Sequence, residues 1–244
     1  MFYFDPLYFV FLAPGMLLAA WAQWRVKSAY HHASQVPVRS GYSGAEAASI
    51  LLGGGYGINR EGDASGAVGT EGVRVEATQG FLSDHYSPSE KVLRLSPDVY
   101  QGRSVAALGI AAHEAGHAFQ DAERYPLLVA RNALVPLAST GGSISMLVLL
   151  VGFVLSLSPL VWVGIGLFGL TVLFQVVNLP VEFDASRRAK RHLAETGLVA
   201  PDEAPEVDRV LNAAAWTYVA GTLTGILTLL YYLYRLGIFG RSND

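Results

Sequence analysis

The chain has 244 residues, of which 52% are hydrophobic and 15% charged, with a mean hydropathy of +0.34 and a net charge of -3. Soluble domains carry about 25% charged residues, so this composition points to a membrane protein. There is no cysteine, which excludes disulfides, thiolate metal sites and cysteine nucleophiles; the slight negative charge supplies no basic field for nucleic acid.

Leu7–Trp24 is apolar and long enough to span a bilayer despite Pro14 and Gly15. It has no basic residues before it, so it reads as a retained span and not as a cleaved signal. Arg25–Gln35 reads as a polar extension of that helix. Ser43-Gly44-Ala45-Glu46 has the spacing of a capping box and opens an apolar helix through Leu52. Gly53–Gly72 is glycine-rich and reads as a loop. Val73–Ala77 alternates like a strand, and Phe81–Tyr86 and Lys91–Ser96 flank Ser87-Pro88-Ser89-Glu90 as a hairpin. Pro97 stops the second strand of that hairpin.

Ser104 then caps a helix from Val105 to about Ala122 that carries His113-Glu114-Ala115-Gly116-His117. Helix positions i and i+4 share a face, so both imidazoles of this H-E-x-x-H can reach one metal ion. Glu114 follows the first histidine and can reach a water at the metal without being a ligand itself, which is the layout of a zinc hydrolase helix. Small residues around the motif (Ala111, Ala112, Ala115 and Gly116) let other backbone approach. A strand leading into such a helix is what a zincin-like site needs, because a sheet edge can bind an extended peptide.

The run Asn132–Val181 contains no charged residue or histidine. As one helix it would measure about 75 Å, against a hydrocarbon core of about 30 Å. The break falls at Ser156-Leu157-Ser158-Pro159, giving spans over 133–156 and 160–181. A further charge-free run, Val210–Tyr234, makes a fourth span, with Tyr231, Tyr232 and Tyr234 as an interfacial belt. Segments 25–131 and 182–209 then share one face and hold most of the basic residues near membrane ends; Arg235 and Arg241 lie on the other. The positive-inside rule places the large segments and the H-E-x-x-H in the cytoplasm and both termini outside.

The expected architecture is a mainly α polytopic membrane protein: four transmembrane helices with a zincin-like cytoplasmic domain containing a small β-sheet. Its parts are 1–34 (first span and extension), 35–131 (zincin-like domain), 132–181 (transmembrane hairpin), 182–209 (cytoplasmic segment) and 210–244 (last span and tail).

A catalytic zinc takes three protein ligands and keeps one position open. Beyond His113 and His117 the candidates are His31, His32, His85, His192 and a carboxylate. Glu182 is the first charged residue after the third span. If spans two and three form a hairpin, it returns to the membrane face beside the H-E-x-x-H helix. The carboxylates next to that end of the hairpin are Glu182 and Asp184.

Ala112-His113-Glu114-Ala115-Gly116-His117-Ala118, with Ser83-Asp84-His85-Tyr86 and Leu93-Arg94-Leu95-Ser96 before it and Val181-Glu182-Phe183-Asp184-Ala185-Ser186-Arg187-Arg188-Ala189 after it, resembles the YugP-like neutral zinc metallopeptidases of bacterial membranes. The resemblance runs from Ser43 to the last span. It implies a zinc endopeptidase of the bacterial plasma membrane with His113, His117 and Glu182 as ligands and Glu114 as the catalytic carboxylate. The arrangement is also similar to the membrane gluzincins that include HtpX-type and prenyl-protein proteases, where the ligand glutamate is usually followed at +4 by an aspartate; here +4 is Ser186 and the nearest acid is Asp184.

On this reading zinc activates water for peptide hydrolysis at the cytoplasmic membrane surface, with Glu114 as general base. The partners are membrane lipid and a peptide or membrane-protein substrate; the sequence also admits a homo-oligomer or a membrane-protein partner. Asp184 reads as a supporting acceptor for a ligand imidazole or as a surface charge. Asp121, one turn after His117, could hold that ring or be a helix-end charge. His85 and His192 are candidates for stabilising the oxyanion, against a solvent-facing hairpin residue and a headgroup contact respectively. The competing class is a non-catalytic membrane scaffold with a structural zinc, which would have no need of Glu114. A transporter is disfavoured because the spans carry no acid or base.

Overall fold

A computed structural model describes residues 5–53, 72–80 and 83–237. Most of the expected glycine-rich loop (residues 54–71), Phe81 and Leu82 of the expected hairpin, and Arg241 lie outside the described residues. The elements in order are α1 (Pro6–Ser34), α2 (Gly44–Leu51), β1 (Arg74–Ala77), β2 (His85–Ser87), β3 (Val92–Leu95), α3 (Pro97–Tyr100), α4 (Val105–Ala122), α5 (Pro126–Val154), α6 (Ser158–Glu195) and α7 (Ala204–Arg235). They fall into two units.

One unit comprises Met1–Gln23, Val129–Pro180 and Trp216–Asp244. It draws on α1, α5, α6 and α7, the four helices that are long and apolar enough to cross a membrane. Large apolar side chains such as Met16, Leu17, Leu147, Val154, Trp162 and Val163 point outward. A surface bathed in water rarely carries so many, and helices satisfy their own backbone as hydrocarbon requires. These are the membrane spans. The break between α5 and α6 falls at the expected turn, where Ser156 takes a left-handed φ of 54° and Pro159 sits in the first turn of α6.

Inside this unit a small residue decides a contact. A Cβ on Gly15 would lie 2.6 Å from Thr224 Oγ1, so α1 and α7 approach at a point where one side chain is missing. Trp21 meets Trp216 edge-on at 5.5 Å. Tyr231, expected in an interfacial belt, is buried: its ring is 5.0 Å from that of Tyr8, and its hydroxyl donates to Asp5 Oδ2 at 2.8 Å. Tyr234 is exposed.

The other unit comprises Trp24–Leu128 and Val181–Ala215. Its sheet has the order β1-β3-β2, with β1 parallel and β2 antiparallel to the central β3. The β2–β3 hairpin lies where expected, with shorter strands and with Ser87 in β2 instead of the turn, and Lys91 takes φ 53° before β3. Asp84 anchors its base by accepting from Ser96 N at 2.8 Å and from the Ser96 hydroxyl. Pro97, expected only to end β3, also opens the short helix α3, because proline's fixed φ suits the first helical position. The capping box of α2 is formed: Ser43 N donates to Glu46 Oε2 at 2.7 Å and Glu46 N to Ser43 Oγ at 3.2 Å.

α4 is the centre of this unit. Ser104 Oγ accepts from Ala107 N at 3.2 Å to start it, and most of its residues are buried on every side. Only a helix built mainly of alanine and glycine can be wrapped so closely. Its larger residues, Val105, Leu108 and Phe119, join Leu93 and Leu95 of β3, Val99 of α3, Leu193 of α6 and Leu211 of α7 in one core.

Candidate metal centre

α6 continues past Pro180 and past the end of the charge-free run to Glu195, so Val181–Ser186 is helical and lies against α4. The contact is backbone to backbone. A Cβ on Gly116 would stand 2.6 Å from Ala185 O and 3.1 Å from Ala185 Cα. This approach brings Glu182 to the two histidines. His113 Nε2 is 3.3 Å and His117 Nε2 3.7 Å from Glu182 Oε2, and the three ligand atoms lie within 4.8 Å of one another. Among the described residues no other group of His, Asp or Glu is so disposed.

The remaining ring nitrogens are engaged elsewhere. His113 Nδ1 lies 3.1 Å from Ser186 Oγ, and His117 Nδ1 lies 3.0 Å from Gln120 Oε1. Both Nε2 atoms are thereby turned to the same point as the carboxylate. Two imidazole nitrogens and one carboxylate oxygen are a donor set that zinc takes in catalytic sites, and partners on the far nitrogens are what orients such ligands. The residues present fit zinc.

His117 and Glu182 are buried, whereas His113 and Glu114 are half-buried, and solvent reaches the cluster on their side. Burial alone would raise the Glu182 pKa, but the close His113 and His117 rings outweigh it and hold the carboxyl well below the usual carboxylate range. Burial would likewise lower the His117 pKa, and the contact with Glu182 reverses that, leaving it raised.

Glu114 Oε2 accepts from the backbone N–H of Tyr86 at 3.1 Å, so the edge strand β2 holds the carboxylate that is not in the cluster. Asp121 does not reach His117. It accepts from the Tyr86 hydroxyl at 2.7 Å and from Lys91 Nζ at 2.5 Å, tying the hairpin to α4 a second time. Burial and that carboxylate hold the Tyr86 phenol above its usual pKa. Asp184 is buried and not a surface charge: it accepts from Gln120 Nε2 at 2.9 Å, from Arg188 Nε at 2.6 Å and from Arg187. Burial opposes its ionisation, but these bonds prevail and lower its pKa.

His85 is exposed, with Nδ1 2.7 Å from Ser83 O. His192 packs on Phe119 with ring centres 4.5 Å apart, and its Nδ1 is 3.3 Å from Glu195. Neither belongs to the three-residue cluster. Sequence reasoning overlooked two residues that touch the ligand rings, Gln120 and Ser186. A signal for the first was available: a glutamine three residues after the second histidine, on the buried part of a helix rich in alanine and glycine. Ser186 stands at the +4 position after Glu182, where its hydroxyl meets His113.

Comparison with known proteins agrees with this geometry. Residues 8–237 match the family described as "Putative neutral zinc metallopeptidase". The chain belongs to that family. It is also 40% identical, over 97% of its own length and 99% of the other's, to "Putative membrane protease YugP" of Bacillus subtilis (strain 168). No solved structure matches it. A family of zinc peptidases, four spans and a His-His-Glu cluster together make this chain a membrane zinc-dependent endopeptidase.

Proposed function

We propose that His113, His117 and Glu182 hold zinc, that Glu114 is the proton carrier, and that the centre faces the cytoplasm of a bacterial cell. The observation that carries this reading is the convergence of three ligand atoms, with no fourth His, Asp or Glu joining them among the described residues. A structural zinc site closes with four protein ligands, whereas a catalytic one keeps a position open. That favours the enzyme over the scaffold. When bound, zinc supplies Lewis acidity that polarises a carbonyl and makes water a nucleophile near neutral pH. Glu114, oriented by the Tyr86 N–H, takes the proton from the attacking water and returns it to the leaving amine. Among the described residues β2 is an edge strand of the sheet, and such an edge suits an extended peptide, which can add to it as a further strand. The Bacillus relative is named a membrane protease, in keeping with a peptide or membrane-protein substrate here.

The purified protein should contain one zinc per chain. A chelator should abolish its cleavage of casein, and zinc should restore it. Hydrolysis that survives complete removal of metal would refute the reading. The orientation has its own test, and the absence of cysteine makes it clean. Single cysteines replacing Ser89, at the exposed hairpin turn, and Ser158, at the exposed start of α6, should react with an impermeant reagent from opposite sides of sealed cells, Ser158→Cys from outside. Labelling of Ser89→Cys in intact cells would reverse the topology.

A further inference from the structure

Gln120 is fully buried, one turn beyond His117 on α4. Its Nε2 donates twice, to Val181 O at 2.8 Å and to Asp184 Oδ2 at 2.9 Å. Its Oε1 faces His117 Nδ1 at 3.0 Å. Both partners of the NH2 group can only accept: one is a backbone carbonyl, and the other is a carboxylate that two arginines bind. The amide therefore has one orientation. Turned over, its oxygen would face two acceptors in a site without water's help, and buried acceptors left so opposed are costly.

With Oε1 toward the ring, the hydrogen of that contact must sit on His117 Nδ1. The neutral imidazole then has its lone pair on Nε2, the atom aimed at the cluster. Nothing comparable fixes His113, because the Ser186 hydroxyl beside its Nδ1 can either donate or accept.

Val181 and Asp184 bracket Glu182 on α6. We propose that Gln120 is a positioning residue that reads the docking of this turn and converts it into the metal-binding tautomer of His117. Delivery of the third ligand and preparation of the second are then one event. The inference rests on the zinc reading above, but its first test needs no metal.

In metal-free, full-length protein carrying 15N-labelled histidine in nanodiscs, the His117 signals are those that vanish in His117→Gln. At a pH where the ring is neutral they should report a protonated Nδ1 and a bare Nε2. Gln120→Met, similar in length and unable to hydrogen-bond the ring, should shift His117 toward the opposite tautomer. It should also weaken zinc binding by about 10–100-fold in chelator competition. A purely structural glutamine would leave the tautomer alone. A wild-type His117 protonated on Nε2 would overturn the proposal by itself, even if Gln120→Met fails to fold. So would a folded Gln120→Met with the wild-type tautomer and zinc affinity. Should the wild-type protein bind no zinc, the metallopeptidase reading falls, and the metal-free tautomer still decides what Gln120 does to His117.

Discussion

Replacing Glu114 by glutamine is expected to leave zinc bound and to slow peptide hydrolysis by about 10²–10⁴-fold, the usual worth of general-base help. On the proposed roles the two effects separate because Glu114 would touch the reaction and not the metal: His113, His117 and Glu182 form the cluster, while Glu114 Oε2 accepts from Tyr86 N. A glutamine side-chain oxygen can accept that same bond, so the contact between β2 and α4 survives. What disappears is the capacity to take a proton from water. His113→Ala, by contrast, removes one of the three proposed ligands and should lose zinc and activity together. Zinc content and casein cleavage measured on the same preparations distinguish the cases. A Glu114→Gln protein that cleaves at the wild-type rate would end the assignment of this carboxylate.

Gly116→Ala should have an effect out of proportion to one methyl group. Two terms oppose each other. Alanine is favoured over glycine inside a helix by about 1 kcal/mol. Overpacking a tight contact costs about 1–3 kcal/mol. Here the atoms in the way are Ala185 O, 2.6 Å from the new Cβ, and Ala185 C and Cα at 3.1 Å. They are backbone and cannot rotate aside, so the steric term wins and α6 must shift from α4. Glu182 lies one helical turn before Ala185 and moves with it. Zinc affinity should fall at least tenfold, which is about 1.4 kcal/mol, with a lower melting temperature. Wild-type zinc affinity in Gly116→Ala would show that the position of Glu182 does not depend on this contact.

Much of the molecule was legible in the chain because its signals are local. The helix-start devices at Ser43 and Ser104 act within four residues. Charge-free runs and the Ser156–Pro159 break report directly on hydrocarbon, whose thickness sets helix length. The H-E-x-x-H spacing places two imidazoles on one helix face by geometry alone. Glu182 was reachable because a hairpin of two spans must bring its ends to one side of the membrane.

The remaining features belong to packing between distant segments. That β1 pairs with β3 in parallel, leaving β2 at the edge, follows from no local pattern, since alternation marks a strand without choosing its neighbour. That Tyr231 packs against Tyr8 was not legible either, because only the neighbouring helix decides what an amphipathic ring touches. Asp121 and Asp184 are both acids near the motif. Tertiary contact gave the first to the hairpin, through Tyr86 and Lys91, and the second to Gln120 and Arg188. The sequence alone placed His113 and His117 on one helix face, because helix periodicity is a property of residues, and offered Glu182 beside them as one of several candidate partners. Which ring nitrogens face Glu182 was decided only where α6 meets α4: Nε2 of both histidines lies near that carboxylate, while Nδ1 meets Ser186 in one and Gln120 in the other.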